Sequence, residues 1–221
     1  MLLIRGGMVH NAIVEEPFAA DILVDGGKIV KIGVVDEGEC AGAAVIDASG
    51  LSVYPGFVEA HCHIGLDGYG AGLEVLDYNE RNDILCPQLR GIDGVKAMDP
   101  AFAQAVSGGV TCVCTGPGSA NVLGGTFCAI KTVGKRVDDM LVKADVAMKC
   151  AFGEKPKRVY QNKCDSSRMT TAALLRESLF KAREYLEKKQ RAGDDPAKAP
   201  AFDMKLAALS PVLEGKMPLN A

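Results

Sequence analysis

Short apolar runs separated by turn residues characterise the start of the chain. Residues 22–24 and 29–32 are mostly apolar and flank the sequence Asp25-Gly26-Gly27. An Asp-Gly pair readily adopts the positive φ angles that a tight hairpin turn requires. A further apolar run at residues 44–47 is followed by glycine-containing turns. This pattern predicts a small antiparallel β unit over residues 1–55.

The apolar runs become continuous between residue 57 and about residue 153. They occupy residues 57–58, 110–114, 127–130 and 146–148. Strands with so little polar alternation are typical of a parallel sheet whose two faces are both covered. Asp99-Pro100 begins a helical segment between the first two runs, because proline is tolerated at the first helical position. The order strand, loop, helix and strand predicts βαβ units and an α/β fold.

Helical periodicity dominates after residue 170. Apolar side chains recur at steps of four, three and four residues, at Leu175, Leu179, Ala182 and Leu186. Glu-to-Lys pairs four residues apart occupy other positions of the same segment and support a helix there. Residues 193–196 end it, and a shorter helix is predicted from about residue 202, interrupted by Pro211.

The composition excludes several classes of protein. The 221 residues carry 25 basic and 28 acidic side chains, a net charge of −3, whereas nucleic-acid-binding proteins usually have a basic excess. Hydrophobic residues make up 48% of the chain, which is too many for a disordered protein. No apolar run approaches the roughly 18 residues of a membrane span, and no secretory signal is recognisable. We therefore expect a cytoplasmic globular protein without nucleic-acid or membrane partners.

The eight cysteines contain no Cys-x-x-Cys pair. Without an export signal, disulfides are not expected. Cys112 and Cys114 share one face of a predicted strand, and we interpret them as packing residues. A thiol-based redox or zinc-storage protein is the alternative.

Candidate chemistry lies at His61 and His63, two of only three histidines in the chain. Side chains two residues apart on a strand project to the same side. A glycine-rich segment follows at once, so the pair lies at the carboxyl end of the strand, where α/β barrels place their active sites. Two imidazoles in this position can bind one divalent metal, for which zinc is the expectation. A surface His-x-His pair without a metal is the alternative.

The sequence around these histidines resembles a known family. Residues 47–63 resemble the segment that enters the first barrel strand of the amidohydrolase superfamily, and residues 108–111, 115–121 and 153–160 match further motifs. Together they look like the imidazolonepropionase-like branch, over the N-terminal half of the family's length. The resemblance implies an α/β fold with a small N-terminal β-sandwich (residues 1–55) and the first half of a (β/α)8 metal-dependent hydrolase barrel. That half barrel would comprise strands one to four with their following helices (residues 56–221).

The resemblance also implies a metal site. His61 and His63 match the paired histidines that hold the metal in the family. A further ligand comes from the end of the fourth strand and is either a carboxylate or a carbamylated lysine. That strand, residues 146–153, offers Glu154 at its mouth and Lys149 inside it. Glu154 is preferred because a carboxylate needs no modification, and the alternatives are a solvated acid at Glu154 and an ion-paired lysine at Lys149.

The loop after the second strand is a candidate for substrate binding. Gly116, Gly118, Ser119 and Asn121 lie in it, and its backbone N–H groups can face an anionic or carbonyl group. A tight structural turn is the alternative. The family's remaining histidine ligands and its proton-shuttle aspartate have no counterpart before residue 221, so no catalytic residue is assigned.

These observations predict a metal-dependent amidohydrolase that cleaves C–N bonds in amides or cyclic amides of small-molecule substrates. The alternative is a non-catalytic, truncated or split-gene segment that acts as an assembly partner. Four strands cannot close a barrel, so we expect a homo-oligomer or a second chain that completes it.

Overall fold

The computed structural model describes residues 1–162 and 166–221, so the eighth cysteine, Cys164, lies outside the described residues. The described chain divides into two compact units, Met1–Phe57 and Val58–Ala221.

The first unit contains a mixed five-stranded sheet. Its strands are β1 (Leu2–Val9), β2 (Phe18–Asp25), β3 (Lys28–Gly33), β4 (Ala44–Asp47) and β5 (Ser52–Val53). β2 and β3 form the predicted hairpin, and Gly26 and Gly27 between them have φ angles of 55° and 76°. β4 and β5 both pair with β1 in parallel.

The expectation of a wholly antiparallel first unit is therefore wrong. The β2–β3 hairpin lies between β1 and β4 in the chain, and such a long connection allows β4 to return in the direction of β1. Leu3, Leu23 and Val35 form the buried core of this unit. The described strands form one sheet, and the sandwich stays a prediction.

The second unit alternates strands and helices. In chain order its elements are β6 (Phe57–Cys62), α1 (Pro100–Ser107), β7 (Val110–Thr115), β8 (Leu123–Lys131), α2 (Val137–Met140), β9 (Leu141–Cys150), α3 (Glu154–Tyr160), α4 (Arg168–Ala192), α5 (Met204–Leu213) and β10 (Leu219–Asn220). The strands form one sheet in the order β10-β9-β8-β7-β6. The α/β class is confirmed, and the sheet is a half-barrel.

One strand of this half-barrel has the opposite direction to the predicted one. β8 is antiparallel to both β7 and β9, so the expectation that residues 127–130 form a parallel strand is wrong. A parallel crossover needs about a dozen residues or more, and the connections over residues 116–122 and 132–140 are too short for one. β9 and β10 do pair in parallel, across the three helices α3, α4 and α5.

The predicted helices are present. α1 begins at Asp99, whose side chain accepts a hydrogen bond from the Ala101 N–H at 2.9 Å, and Pro100 is its first residue. The apolar stripe of α4 faces the core, where Ala182 is fully buried and Leu175 packs beside it. α5 continues through Pro211 to Leu213, so the predicted interruption is wrong. Pro211 removes one backbone hydrogen bond from the helix, and only two helical residues follow it.

The main core of the second unit lies between the sheet and the two longest helices. It contains Leu123 of β8, Met148 and Cys150 of β9, Ala182 of α4 and Leu209 of α5. No helix within residues 1–162 and 166–221 combines the length and apolar character that crossing a membrane requires.

The sheet curves strongly. β6 and β10 are the two outermost strands in the sheet order, yet the Asn220 side-chain nitrogen lies 3.1 Å from Nδ1 of His61. Because Asn220 is also paired with Lys149 on β9, this contact brings the ends of three strands together. The candidate site lies at this meeting point.

Candidate metal centre at the end of the half-barrel

The structure brings His61 and His63 together. His61 lies near the end of β6 and His63 one residue beyond it, and their ring centroids are 5.6 Å apart with the planes at 78°. Cys62, between them, points elsewhere and donates to the Cys114 carbonyl at 3.6 Å. The strand alternation therefore places both imidazoles on one side, as the sequence predicts.

A backbone carbonyl fixes the orientation of His63. Its Nδ1 lies 2.7 Å from the carbonyl oxygen of Gly116. Because a carbonyl only accepts hydrogen bonds, Nδ1 carries the proton, and in the neutral ring Nε2 keeps its lone pair. This arrangement is typical of histidines that bind a metal through Nε2.

His61 is held by a side-chain amide instead. Its Nδ1 faces the amide of Asn220, which offers a donor in the present orientation and an acceptor when the amide is turned by 180°. Burial lowers the pKa of His61, and the positive charges of Lys149 and His63 lower it further, against an opposing effect of Glu59. Burial and the neighbouring positive charges both favour the neutral imidazole, which is the form that binds a metal.

Lys149 is the third polar group at this position. It lies on β9 and the residue is buried, with only 3% of its surface exposed. Within the described residues its ammonium takes part in none of the hydrogen bonds or ion pairs. Burial lowers the pKa of Lys149, and the nearby charge of Lys155 also lowers it, against an opposing effect of Cys150.

Two aromatic rings contact the histidines, although nothing in the sequence pattern predicts either contact. The Phe127 ring of β8 lies 4.8 Å from the ring of His61. The Tyr78 ring is stacked on His63 at 5.0 Å, with an angle of 24° between the planes. Tyr78 lies in a charged segment of the loop after β6, and nothing in its spacing distinguishes it from its neighbours. Phe127 belongs to the strand whose direction was predicted incorrectly.

Glu154, the preferred third ligand, is engaged elsewhere. Its carboxylate accepts from Lys157 at 2.9 Å and from Arg168 at 2.8 Å, and two-thirds of its side chain is exposed. The Lys157 hydrogen bond and charge, with the Arg168 hydrogen bond, lower the pKa of Glu154. In the part of the chain that the structure describes, no three His, Cys, Asp or Glu side chains are grouped to hold one metal ion. The structure therefore does not bring Glu154 to the histidines, because the cations of α3 and α4 hold its carboxylate.

The loop over residues 115–121 has mainly internal contacts. The Gly118 N–H donates to the Tyr78 carbonyl at 2.6 Å. The amide nitrogen of Asn121 is buried and donates to the Asp83 carbonyl at 2.7 Å and to the Tyr160 hydroxyl at 2.8 Å. Ser119 is half-buried. The donors of Gly118 and Asn121 thus stabilise the loop.

Close packing explains the two glycines of this loop. A Cβ at Gly116 would lie 2.7 Å from the Phe127 ring, and one at Gly118 would lie 2.4 Å from the side-chain oxygen of Asn79. Gly116 therefore supports the site indirectly, since its carbonyl orients His63 and its missing side chain admits Phe127.

A cleft of about 790 Å³ lies beside Tyr78, the ring that is stacked on His63. Tyr78, Pro117 and Gly124 are part of its lining. A Cβ at Gly124 would lie 3.5 Å from Cγ of Lys149, so the stem of that lysine passes close to this part of the cleft wall. Its volume is in the range of pockets that bind small molecules.

The seven cysteines that the structure describes do not form a competing metal site. Burial raises the pKa of Cys62, Cys114 and Cys128, that of Cys128 to about 12. These thiols stay protonated at neutral pH and behave as packing residues.

Comparisons with known proteins agree with the family resemblance. No protein-family model matches the chain. An amidohydrolase structure from Thermotoga maritima MSB8 superposes on all of this chain with a TM-score of 0.90 and 37% identity, and this chain covers 58% of it. The amidohydrolase tasK of Hapsidospora irregularis is 31% identical over 224 residues, which are 91% of this chain and 23% of that protein. A dihydroorotase of Streptococcus pyogenes serotype M1 is 48% identical over 63 residues, 28% of this chain and 14% of that protein.

The chain thus spans between 14% and 58% of the length of these relatives. The similarities relate it to the amidohydrolases in general and do not single out the imidazolonepropionase-like branch.

Proposed function

We propose that this chain, a relative of the amidohydrolases over its whole length, acts in the metal-dependent hydrolysis of C–N bonds in amides or cyclic amides. The observation that carries the proposal is the meeting of His61, His63 and the buried Lys149 at one end of the half-barrel. The imidazolonepropionase-like branch rests on the sequence motifs alone and forms the finer part of the proposal.

Lys149 replaces Glu154 as the proposed third ligand. A lysine binds a metal only after it loses its charge, and a buried amine without a counter-charge is already biased towards the neutral form. The neutral amine adds CO2, so that a new N–C bond forms and the nitrogen releases a proton, which leaves a carbamate. The two carbamate oxygens and the two imidazole nitrogens form a donor set that suits zinc.

The remaining residues hold this donor set in place. Gly116 fixes the tautomer of His63, Asn220 orients His61, and the rings of Phe127 and Tyr78 pack against the two imidazoles. A bound divalent cation supplies a polarised substrate carbonyl and a more acidic water. The cleft beside Tyr78 is the proposed entrance for a small-molecule substrate.

Zinc binding by point variants tests the proposed donor set. The full chain is saturated with bicarbonate and titrated with zinc, and His61→Ala and Lys149→Met are expected to weaken zinc binding at least about tenfold. Glu154→Gln is expected to bind zinc like the unchanged chain, because Glu154 is paired with Lys157 and Arg168. Lys143→Met, an exposed lysine of the same strand, is the matched control.

Nuclear magnetic resonance with 13C-labelled bicarbonate provides an independent measurement. A carbamate signal is expected in the unchanged chain and in Lys143→Met, and it should be absent from Lys149→Met. Loss of zinc in Glu154→Gln together with normal zinc binding in Lys149→Met would overturn the assignment.

Turnover tests the reaction itself. The zinc-loaded chain is incubated with a panel of amides and cyclic amides, and hydrolysis that disappears in His61→Ala supports the proposal. If zinc is bound and no member of the panel is hydrolysed, even after a chain supplying the second half of a barrel is added, the assembly-partner alternative is favoured instead.

A further inference from the structure

A second cavity lies on the opposite face of the sheet from the candidate metal centre. Its volume of about 350 Å³ is within the range of pockets that bind small molecules. Thr126 of β8 is part of its lining, whereas the next residue along the strand, Phe127, contacts His61. Neighbouring strand residues project to opposite faces, and Met148, the partner of Thr126 on β9, belongs to the core beneath α4 and α5. The sheet therefore separates this cavity from the histidines.

One side of α5 forms an apolar wall of this cavity. Four of its residues line the cavity and are spaced by three, one and three positions, so that they share one side of the helix: Met204, Ala207, Ala208 and Pro211. Phe202, which precedes the helix, also lines the cavity and is 77% exposed, and Met204 is 60% exposed. Two large apolar side chains of the lining thus remain in contact with water. An apolar group that enters the cavity removes part of this surface from water, which favours its binding.

Arg90 provides the cavity with a positively charged donor. The Thr126 N–H donates to the Leu89 carbonyl at 2.9 Å, so the backbone next to Arg90 is tied to β8. Nε of Arg90 lies 3.6 Å from the Asp145 carboxylate, and within the described residues the guanidinium takes part in none of the hydrogen bonds. That carboxylate instead accepts a hydrogen bond from the Thr126 hydroxyl at 2.6 Å. The planar N–H groups of Arg90 suit the two oxygens of a carboxylate.

The charges that line the cavity favour a ligand with a single negative charge. Lys216 is paired with Glu214 at 2.8 Å, so these two charges offset each other. Arg90 and Lys143 are the other cations of the lining, and Lys143 takes part in none of the ion pairs in the part of the chain that the structure describes. Asp145 is the acidic residue of the lining. Two cations beside one carboxylate leave one positive charge, which attracts a monoanion.

We propose that this cavity binds a small monocarboxylate with an aromatic or branched aliphatic body. The apolar part packs against the exposed side of α5, and the carboxylate forms an ion pair with Arg90. This ligand is distinct from the substrate of the proposed function, because none of His61, His63 and Lys149 lines the cavity. Its binding requires neither a metal nor turnover.

Methionine methyl groups report where the ligand binds. The full chain, with 13C-labelled methionine methyl groups and without zinc, is titrated with 3-phenylpropionate and followed by nuclear magnetic resonance. Saturable shifts are expected at Met204 and Met217, which line the cavity, and not at Met140 or Met169, which do not. 3-Phenylpropanol, a neutral alcohol with the same apolar body, is expected to bind about tenfold more weakly, because it lacks the charged hydrogen-bond partner.

Three variants test the parts of the site separately. Arg90→Gln should weaken the binding of 3-phenylpropionate about tenfold, and Asp145→Asn should strengthen it because the competing carboxylate is removed. Ala207→Leu should abolish binding, because the larger side chain occupies the cavity, and urea denaturation checks that this variant is folded. Arg136→Gln, which alters an exposed arginine paired with Asp139, is the matched control and should bind like the unchanged chain.

Equal affinities for the acid and the alcohol would overturn the proposal, as would unchanged binding in Arg90→Gln. Shifts at Met204 and Met217 that persist in a folded Ala207→Leu chain would also overturn it. If Ala207→Leu does not fold, the opposite effects expected of Arg90→Gln and Asp145→Asn decide the question. A chain that binds 3-phenylpropionate in this way but fails to bind zinc supports this proposal and counts against the proposed function.

Discussion

At the scale of single residues, His63 depends on a glycine that is distant in the sequence. The Gly116 carbonyl accepts from its Nδ1, and the Phe127 ring occupies the space where a side chain at Gly116 would be. Gly116 therefore sets the tautomer of His63 through its carbonyl. Its lack of a side chain also makes room for the Phe127 ring, which contacts His61.

We expect Gly116→Ala to destabilise the chain. The new Cβ would lie 2.7 Å from the Phe127 ring and 2.8 Å from the Phe127 Cα, and the backbone of β8 has little freedom to move away. Overpacking of this kind costs about 1–3 kcal/mol in the free energy of unfolding, which urea denaturation measures. Gly38→Ala, where the added Cβ meets open space, is the control and should leave stability nearly unchanged. Equal stabilities of the two variants would contradict the packing argument.

The sequence predicts the positions of those site residues that are defined by their spacing along a strand. Strand alternation alone predicts that His61 and His63 lie on one side of β6. The choice between Glu154 and Lys149 could not be made in this way, because it depends on Lys157 and Arg168 reaching the carboxylate from two helices. Asn220 was missed for a similar reason, since its contact with His61 exists only when the sheet curves.

At the scale of elements, apolar continuity predicted that residues 127–130 form a buried strand but not in which direction it runs. Phe127, Cys128 and Ile130 are fully buried, as the run suggests. Burial is equally satisfied by a parallel or an antiparallel strand, and the short connections on either side decide the direction. Helix signals were more informative, because the Asp99 cap and the stripe of α4 depend on local spacing alone.

Helix α5 is tied to the loop after β6 by an ion pair that should depend on pH. Lys205 contacts the carboxylate of Asp83, and both side chains are nearly half exposed. Burial raises the pKa of Asp83, but hydrogen bonds from Lys205 and from the Leu85 N–H outweigh it and leave the pKa below its usual 3.8. Because the pKa is lower in the folded chain, the carboxylate stabilises the fold above pH 3.8, and this contribution is lost as the pH falls through the folded pKa.

The corresponding measurement compares the unchanged chain with Lys205→Met in urea denaturation between neutral pH and pH values below the usual pKa. The variant should be less stable at neutral pH by less than about 1 kcal/mol, since the pair is exposed to solvent. The difference should shrink in acid, where Asp83 is protonated in both proteins. A difference that stays constant over this range would show that the loss comes from packing of the lysine stem instead.

At the scale of the whole molecule, the exposed surface of β6 stands out. β6 is the last strand on its side of the sheet order within the described residues. Phe57 is 54% and Val58 is 67% exposed, although both are large apolar side chains. An edge strand offers unpaired N–H and C=O groups as well as this apolar surface, and such strands readily pair with another chain.

We therefore expect the chain to self-associate through β6. Sedimentation velocity should show species larger than the 23.2 kDa monomer, and Val58→Lys should shift the distribution towards the monomer because charged side chains on an edge strand oppose pairing. Val133→Lys, which introduces the same charge at a similarly exposed valine in the loop between β8 and α2, should leave the distribution unchanged. A chain that sediments as a folded monomer throughout would contradict the prediction and would mean that the exposed residues of β6 are tolerated in water.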